Sequence, residues 1–344
     1  MNLSHLERTI ISTLAYYQAL GEYPLTSFEI FSRLNAYGER PMFFPLLCAL
    51  ESLREQKTIS AMNGFFVLDP ASALPNPAVA RRGPASHRLP NKSPVTERIR
   101  RYKISEGKWK KLRTPLRVLS LLPYIRMIGV TGSLAIDNAH EESDIDLLIV
   151  TKPGRIWTSR ILCSLATHLL GVRRYRHRIK DRICLNHYLS SDALTLTVQN
   201  LSNAHTYAGM IPVFDGGEWY QQFSRENQWI NSYIASSPWN LHRSIRYRKR
   251  SAASRLIGSF LEMLLQNPAG DLLERALGLL QKQKILSSIS PSYMIKTDQL
   301  ILTSNALMFH YPVSRNAEVE EKYKEIVDNL FKTNGEESTK ATNI

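Results

Sequence analysis

The sequence has 344 residues, a mass of 39.3 kDa and a net charge of +14. Its 43% hydrophobic and 22% charged residues are typical of a globular protein and exclude fibrous and wholly disordered chains. Three widely spaced cysteines exclude a disulfide scaffold and a Cys-rich zinc module. Because neither a signal peptide nor an apolar run of membrane-spanning length is recognisable, we expect a cytoplasmic protein without membrane contact.

The positive charge is concentrated in three segments. Residues 81–126 carry a net +12, residues 173–182 a net +5 and residues 243–255 a net +6, so the remaining residues sum to −9. Segments of this kind attract nucleotides and nucleic acids, although a solvated surface that only keeps the protein soluble is the alternative.

Residues 1–70 are predicted to form a small domain of three helices followed by a hairpin. Apolar residues recur at helical spacing, Thr26 is a helix cap, and Asn63-Gly64 separates two short apolar runs, which is the strongest local hairpin signal. This order predicts a winged helix-turn-helix-like domain. A generic helical domain used for packing or dimerisation is the alternative, and the few basic residues of the third helix leave DNA contact open.

The rest of the chain divides by composition. Residues 71–94 are rich in Pro, Ala, Ser and Arg, which is typical of an extended linker, and a basic helix is expected to follow. We expect an α+β core at residues 95–200, a helical C-terminal region at 201–333 and a disordered polar tail at 334–344. The oligomeric state is left open.

The strongest chemical signal lies between two apolar runs in this core. The first run ends at Gly132-Ser133, and the second begins with Asp144-Ile145-Asp146. Alternation along a strand places Asp144 and Asp146 on one face, where their repulsion is relieved by a hard divalent cation such as Mg²⁺. Gly132 permits close backbone approach to a phosphate, and Ser133 with the following helix offers N–H donors and a hydroxyl.

This pattern resembles the nucleotidyltransferase superfamily that includes DNA polymerase beta. The match consists of Thr131-Gly132-Ser133, ten intervening residues, and Asp144-Ile145-Asp146-Leu147. The resemblance covers about residues 95–200 and implies a small mixed sheet. It implies transfer of a nucleoside monophosphate from an NTP to a hydroxyl of RNA, DNA or protein, with Mg²⁺ or Mn²⁺ held by Asp144 and Asp146, and with Gly132 and Ser133 on the β- and γ-phosphates.

The sequence departs from the family pattern at the third carboxylate. The matching position in the next predicted strand, which runs from Ile183 to Leu189, is Asn186, a neutral oxygen ligand. Asp181 and Asp192 at the ends of that strand would substitute only if the register slips, and His187 is a weaker candidate base. The preceding basic run, with Arg174 and Arg176, is a candidate contact for the triphosphate or for an anionic acceptor.

Two functions therefore remain open. One is an active nucleotidyltransferase that binds ATP or another NTP. The other is a nucleic-acid-binding regulator whose degenerate core only senses nucleotide, which Asn186 and the N-terminal domain favour. Nucleotidylation of a cationic small molecule is disfavoured because the surroundings of the site are basic. The identity of the base and of the acceptor is left open.

Overall fold

The structure is a computed structural model that describes residues 3–35, 41–69, 93–175, 177–235, 252–264, 266–288, 300–309 and 315–332. The predicted tail, almost all of the predicted linker and the greater part of the third basic segment lie outside these residues. None of the described helices combines the length and the apolar run that a bilayer crossing requires.

The N-terminal region contains three helices and a small antiparallel sheet. Ser4 and Thr26 form capping boxes with Glu7 and Glu29, which start the first two helices. The Asn63-Gly64 turn has the positive φ angles of 52° and 78° expected for a tight hairpin. The sheet has the order β1-β3-β2. The elements are α1 (His5–Ala19), β1 (Leu25–Thr26), α2 (Ser27–Ser32), α3 (Phe43–Glu55), β2 (Ile59–Met62) and β3 (Phe65–Leu68).

One long basic helix, α4 (Pro94–Leu119), leads into the central sheet. Much of its charge is internal: Arg98, Arg101 and Lys108 are at most 8% exposed. The Lys108 ammonium group, for example, donates to the carbonyls of Glu141 and Ser143 at 3.0 and 2.8 Å. These cations stabilise residues 137–143, the loop that leads to Asp144, so they are not part of a surface that attracts polyanions.

The central sheet is mixed, as the resemblance implies. Its six strands have the order β7-β4-β5-β6-β9-β8, and only the pair β5–β6 is parallel. The apolar cluster on one face includes residues of α4 and α6, and the cluster on the other includes residues of α7 and α8. The strands are β4 (Ile125–Thr131), β5 (Ile145–Thr151), β6 (Ile183–Ser190), β7 (Ile211–Asp215), β8 (Leu300–Leu302) and β9 (Ala306–Phe309). The short helix after β4 is α5 (Gly132–Ala135), and the others are α6 (Ile156–Leu169), α7 (Leu201–Ala208) and α8 (Trp219–Glu226).

The region from residue 201 to 333 contributes strands as well as helices, which corrects the expectation of a helical C-terminal region. Three of its strands, β7, β8 and β9, join the sheet, so the sheet takes strands from both sides of residue 200. The described helices of its later part are α9 (Ala252–Leu264), α10 (Pro268–Ser288) and α11 (Arg315–Lys332). The buried Glu274 of α10 accepts hydrogen bonds from the backbone N–H groups of Trp157 and Thr158 at 2.8 and 2.9 Å, and so caps α6.

A buried polar network centred on His205 joins α7 to the N-terminal helices. The ring stacks on Tyr16 with 4.0 Å between centroids, its Nε2 lies 2.9 Å from Oδ1 of Asn35, and its Nδ1 lies 3.1 Å from the Tyr17 hydroxyl. Burial, and to a smaller extent the charge of Arg33, lowers the pKa of His205 from 6.5 to about 3. The neutral imidazole is therefore part of the folded structure.

This network predicts acid-sensitive folding. Because the folded state holds His205 neutral while the unfolded chain protonates it, its contribution is present above pH 6.5 and is lost as the pH falls toward 3. The difference in unfolding free energy between wild type and His205→Gln should shrink by about 2 kcal/mol from about pH 7.5 to about pH 5. Urea denaturation at both pH values measures it, and the exposed His168→Gln variant is the control. A pH-independent difference would contradict the assignment.

Candidate active site

The turn after β4 brings the backbone of Gly132 against a carboxylate of β5. Thr131 pairs with Asp146 across the antiparallel strands. Gly132 has φ of +67°, and a Cβ at this position would lie 2.7 Å from Oδ2 of Asp146. Only glycine satisfies both the backbone angle and the close approach. The structure therefore brings together the two halves of the sequence pattern, with Ser133 half-buried beside them.

Asp144 and Asp146 flank the buried Ile145 at the start of β5, as the alternation predicts. The Nη1 atom of Arg174 donates to Oδ2 of Asp144 at 2.6 Å. Desolvation, and then the charge of Asp144, raise the pKa of Asp146 well above its ordinary value, while Arg174 opposes the shift. Two partly buried carboxylates with one guanidinium are thus short of positive charge, which favours cation binding.

The residue of β6 that faces the aspartates is Cys184. In the parallel pairing Asp146 is opposite Cys184, and the register then shifts before Leu148 and His187 pair. One ligand atom from each of Asp144, Asp146 and Cys184 lies within 4.8 Å of the other two, so these residues form a candidate metal-binding group. Asn186 lies in β6 at the register shift. Alternation places Cys184 and Asn186 on the same face of β6, so it does not decide which of them lies opposite Asp146; the useful signal was that Cys184, like Asp146, is the second residue of its strand.

The other candidate residues of the β6 region are engaged elsewhere. Asp181 forms ion pairs with Lys108 and Lys111, and Asp192 accepts a hydrogen bond from the Ser190 hydroxyl. Neither is available as a third carboxylate beside the two aspartates. His187 is 6% exposed, and its Nδ1 lies 2.8 Å from the hydroxyl of Tyr207. Arg176 lies outside the described residues.

A basic groove of about 760 Å³ lies beside the site, between α4 and the loop that precedes β6. Its charged lining comprises the cations Lys111, Arg178, Lys180 and Arg182 and the carboxylates Glu142 and Asp181, a net charge of +2. Its wall includes Ile145, the neighbour of Asp144. Lys180 pairs with Glu142 at 3.0 Å. Within the described part of the chain, Arg178 and Arg182 form no ion pair, so the second basic segment contains cations that are available to an anionic ligand.

The close approach of Gly132 generates a testable prediction with a matched control. Gly132→Ala and Gly154→Ala both place a side chain at a φ near +65°, but a Cβ at Gly154 meets no atom within 4 Å. Both variants should lose about 1–2 kcal/mol of stability. Only Gly132→Ala should displace the Asp146 carboxylate and weaken Mn²⁺ binding, by about 10-fold or more. Calorimetric titration with Mn²⁺ measures this, and equal affinity in the two variants would contradict the role of Gly132.

Comparison with protein families supports the chemistry that this geometry suggests. The model of the family described as nucleotidyltransferase domain matches residues 110–250, which contain β4 to β7 and every residue of the candidate metal-binding group. Neither the curated proteins nor the solved structures with which the chain was compared include a match. The family match supports the nucleotidyltransferase superfamily for this central part of the chain, and domains of this superfamily transfer nucleoside monophosphates from NTPs.

Proposed function

We propose that the protein is a divalent-metal-dependent nucleotidyltransferase, which transfers an NMP from an NTP to a hydroxyl acceptor and releases pyrophosphate. The observation that carries the proposal is the close approach of Gly132 to Asp146, where an added Cβ would lie 2.7 Å from the carboxylate, with Asp144 immediately before the same strand. The family match over residues 110–250 supports the same reaction class.

The residues present fit a divalent cation. Asp144 and Asp146 supply carboxylate oxygens, the ligands that Mg²⁺ and Mn²⁺ prefer, and the space beside Asp146 is one that a Cβ at residue 132 would fill. When bound, the cation would neutralise triphosphate charge and increase the electrophilicity of the α-phosphorus. Asp144 and Asp146 are assigned as ligands.

The chain itself would orient the two reacting groups. Gly132 and Ser133 hold the β- and γ-phosphates, and Arg174 orients Asp144 by a direct hydrogen bond. The acceptor oxygen attacks the α-phosphorus as its hydroxyl proton passes to solvent, the bond to the bridging oxygen breaks, and pyrophosphate leaves with its electron pair. Asn186 is retained as a candidate neutral oxygen ligand near the acceptor, and Arg176 as a candidate phosphate contact.

The proposed acceptor is a nucleic acid, bound along the basic groove. Arg178 and Arg182 supply charge there, and the groove begins one residue from Asp144. The N-terminal region is proposed to be a winged-helix domain, which the order of its helices and strands supports. The exposed side of its α3 carries Phe44 and Leu47, so protein packing suits that helix better than DNA contact.

A nucleic-acid-binding regulator that senses nucleotide without turnover is the second candidate. It is favoured by the hydrogen bond of Arg174 to Asp144, and by a thiol as the third member of the cluster, because a thiol binds a hard cation more weakly than a carboxylate does.

The two candidates differ in label transfer. Incubation of the protein with NTPs labelled at the α-phosphate, Mg²⁺ or Mn²⁺, and total cellular RNA, DNA and protein should label one acceptor class. Asp144→Asn and Asp146→Asn should each lower the rate by about 10²-fold or more, because each removes charge that holds the triphosphate complex. Glu325→Gln, on the exposed side of α11, is the control. Nucleotide binding without transfer to any acceptor would favour the regulator.

The basic groove predicts salt-dependent binding of nucleic acid. Replacing both Arg178 and Arg182 by Ala should weaken binding of single-stranded RNA and make the slope of log K against log salt shallower by about 1.4, which corresponds to two phosphate contacts. Fluorescence anisotropy over a salt series measures both quantities. Lys284→Ala, an exposed cation on α10, serves as the control. An unchanged slope in the double variant would place the nucleic acid elsewhere.

A further inference from the structure

The two aspartates have a cation of the protein beside them, the guanidinium of Arg174. Nη1 of Arg174 lies 2.6 Å from Oδ2 of Asp144 and 3.4 Å from Sγ of Cys184. The side chains of Arg174 and Asp144 are only 29% and 18% exposed, so water weakens their attraction less than on an open surface. The ion pair is therefore part of the site.

The backbone holds Arg174 in this position. Its N–H donates to the carbonyl of Ile183 at 3.0 Å, and the neighbouring Arg173 forms a bridge with Ile183. Ile183 immediately precedes Cys184, which is opposite Asp146. The start of β6 thus positions the guanidinium and the thiol together against the aspartates.

The ligands of this cluster suit one divalent cation. Asp144 and Asp146 are its two carboxylates, and one oxygen of Asp144 already accepts a hydrogen bond from Arg174. The third member is a cysteine, a soft ligand that hard cations such as Mg²⁺ bind poorly. The described residues of the cluster supply no further carboxylate for a second cation.

Building on the proposed function, we propose that Arg174 takes the place of a second metal ion, so that the nucleotide-loaded site holds one divalent cation. Arg174 neutralises Asp144 and contributes a permanent positive charge beside the triphosphate. A guanidinium is suited to this because it remains charged and hydrogen-bonds carboxylates and phosphates with the same geometry. The thiol of Cys184 accepts a hydrogen bond from the same guanidinium. A carboxylate at residue 184 would instead be a ligand for a further cation.

Counting bound metal tests this inference without measuring activity. The full chain is passed through a gel-filtration column equilibrated with Mn²⁺ and a non-hydrolysable NTP analogue, and manganese, phosphorus and protein are measured in the peak. The expected ratio is one Mn²⁺ per chain for wild type. The double variant Arg174→Gln/Cys184→Asp, which removes the guanidinium and adds a carboxylate, should bind two. Arg173→Gln, one residue away, is the matched control and should bind one.

The outcomes separate this inference from the proposed function. Two Mn²⁺ per wild-type chain would overturn the role of Arg174 and leave the nucleotidyltransferase proposal intact. A wild-type peak with neither metal nor analogue would contradict the proposed function itself. A double variant that keeps the wild-type melting temperature and still binds one Mn²⁺ would also overturn the inference. If the double variant does not fold, the wild-type count remains decisive, and Arg174→Lys, which keeps the charge, should again bind one.

Discussion

The candidate site depends on the register between β4 and β5. Pairing of Thr131 with Asp146 places the next residue, Gly132, so close to the carboxylate that no larger side chain fits. A side chain at residue 132 would therefore disturb both the backbone angle of the turn and the position of the Asp146 carboxylate. Buried strand residues on both faces of the sheet hold this register, and the buried cations of α4 hold the loop that leads to Asp144.

The parallel pairing of β5 with β6 determines which polar and charged groups lie beside the aspartates. Because the two strands begin together, Asp146 and Cys184 become neighbours, and the loop before β6 returns Arg174 to Asp144. The basic residues that distinguish the sequence therefore lie in three different environments. Some are buried in α4, one is paired inside the candidate site, and others line the neighbouring groove.

Local patterns predicted much of this arrangement. The cap at Thr26, the Asn63-Gly64 hairpin and the Gly132-Ser133…Asp144-Ile145-Asp146 pattern depend on residues near each other in the chain, and each lies where the sequence indicated. Which residue of β6 lies opposite Asp146 was not predictable, because alternation places Cys184 and Asn186 on the same face and the local sequence does not determine the register of a parallel pair. The strands β7 to β9 were missed because they are short and pair with distant segments.

The central claim is that Asp144, Asp146 and Gly132 form one site for a metal-bound triphosphate. The most direct test is a crystal structure of the full chain with Mn²⁺ and a non-hydrolysable NTP analogue, in which anomalous scattering locates the metal. We expect the anomalous peak within about 2.0–2.3 Å of oxygens of both aspartates, with the β- and γ-phosphates against the backbone of Gly132 and Ser133. Nucleotide bound away from Gly132, or a metal that contacts neither aspartate, would contradict the account.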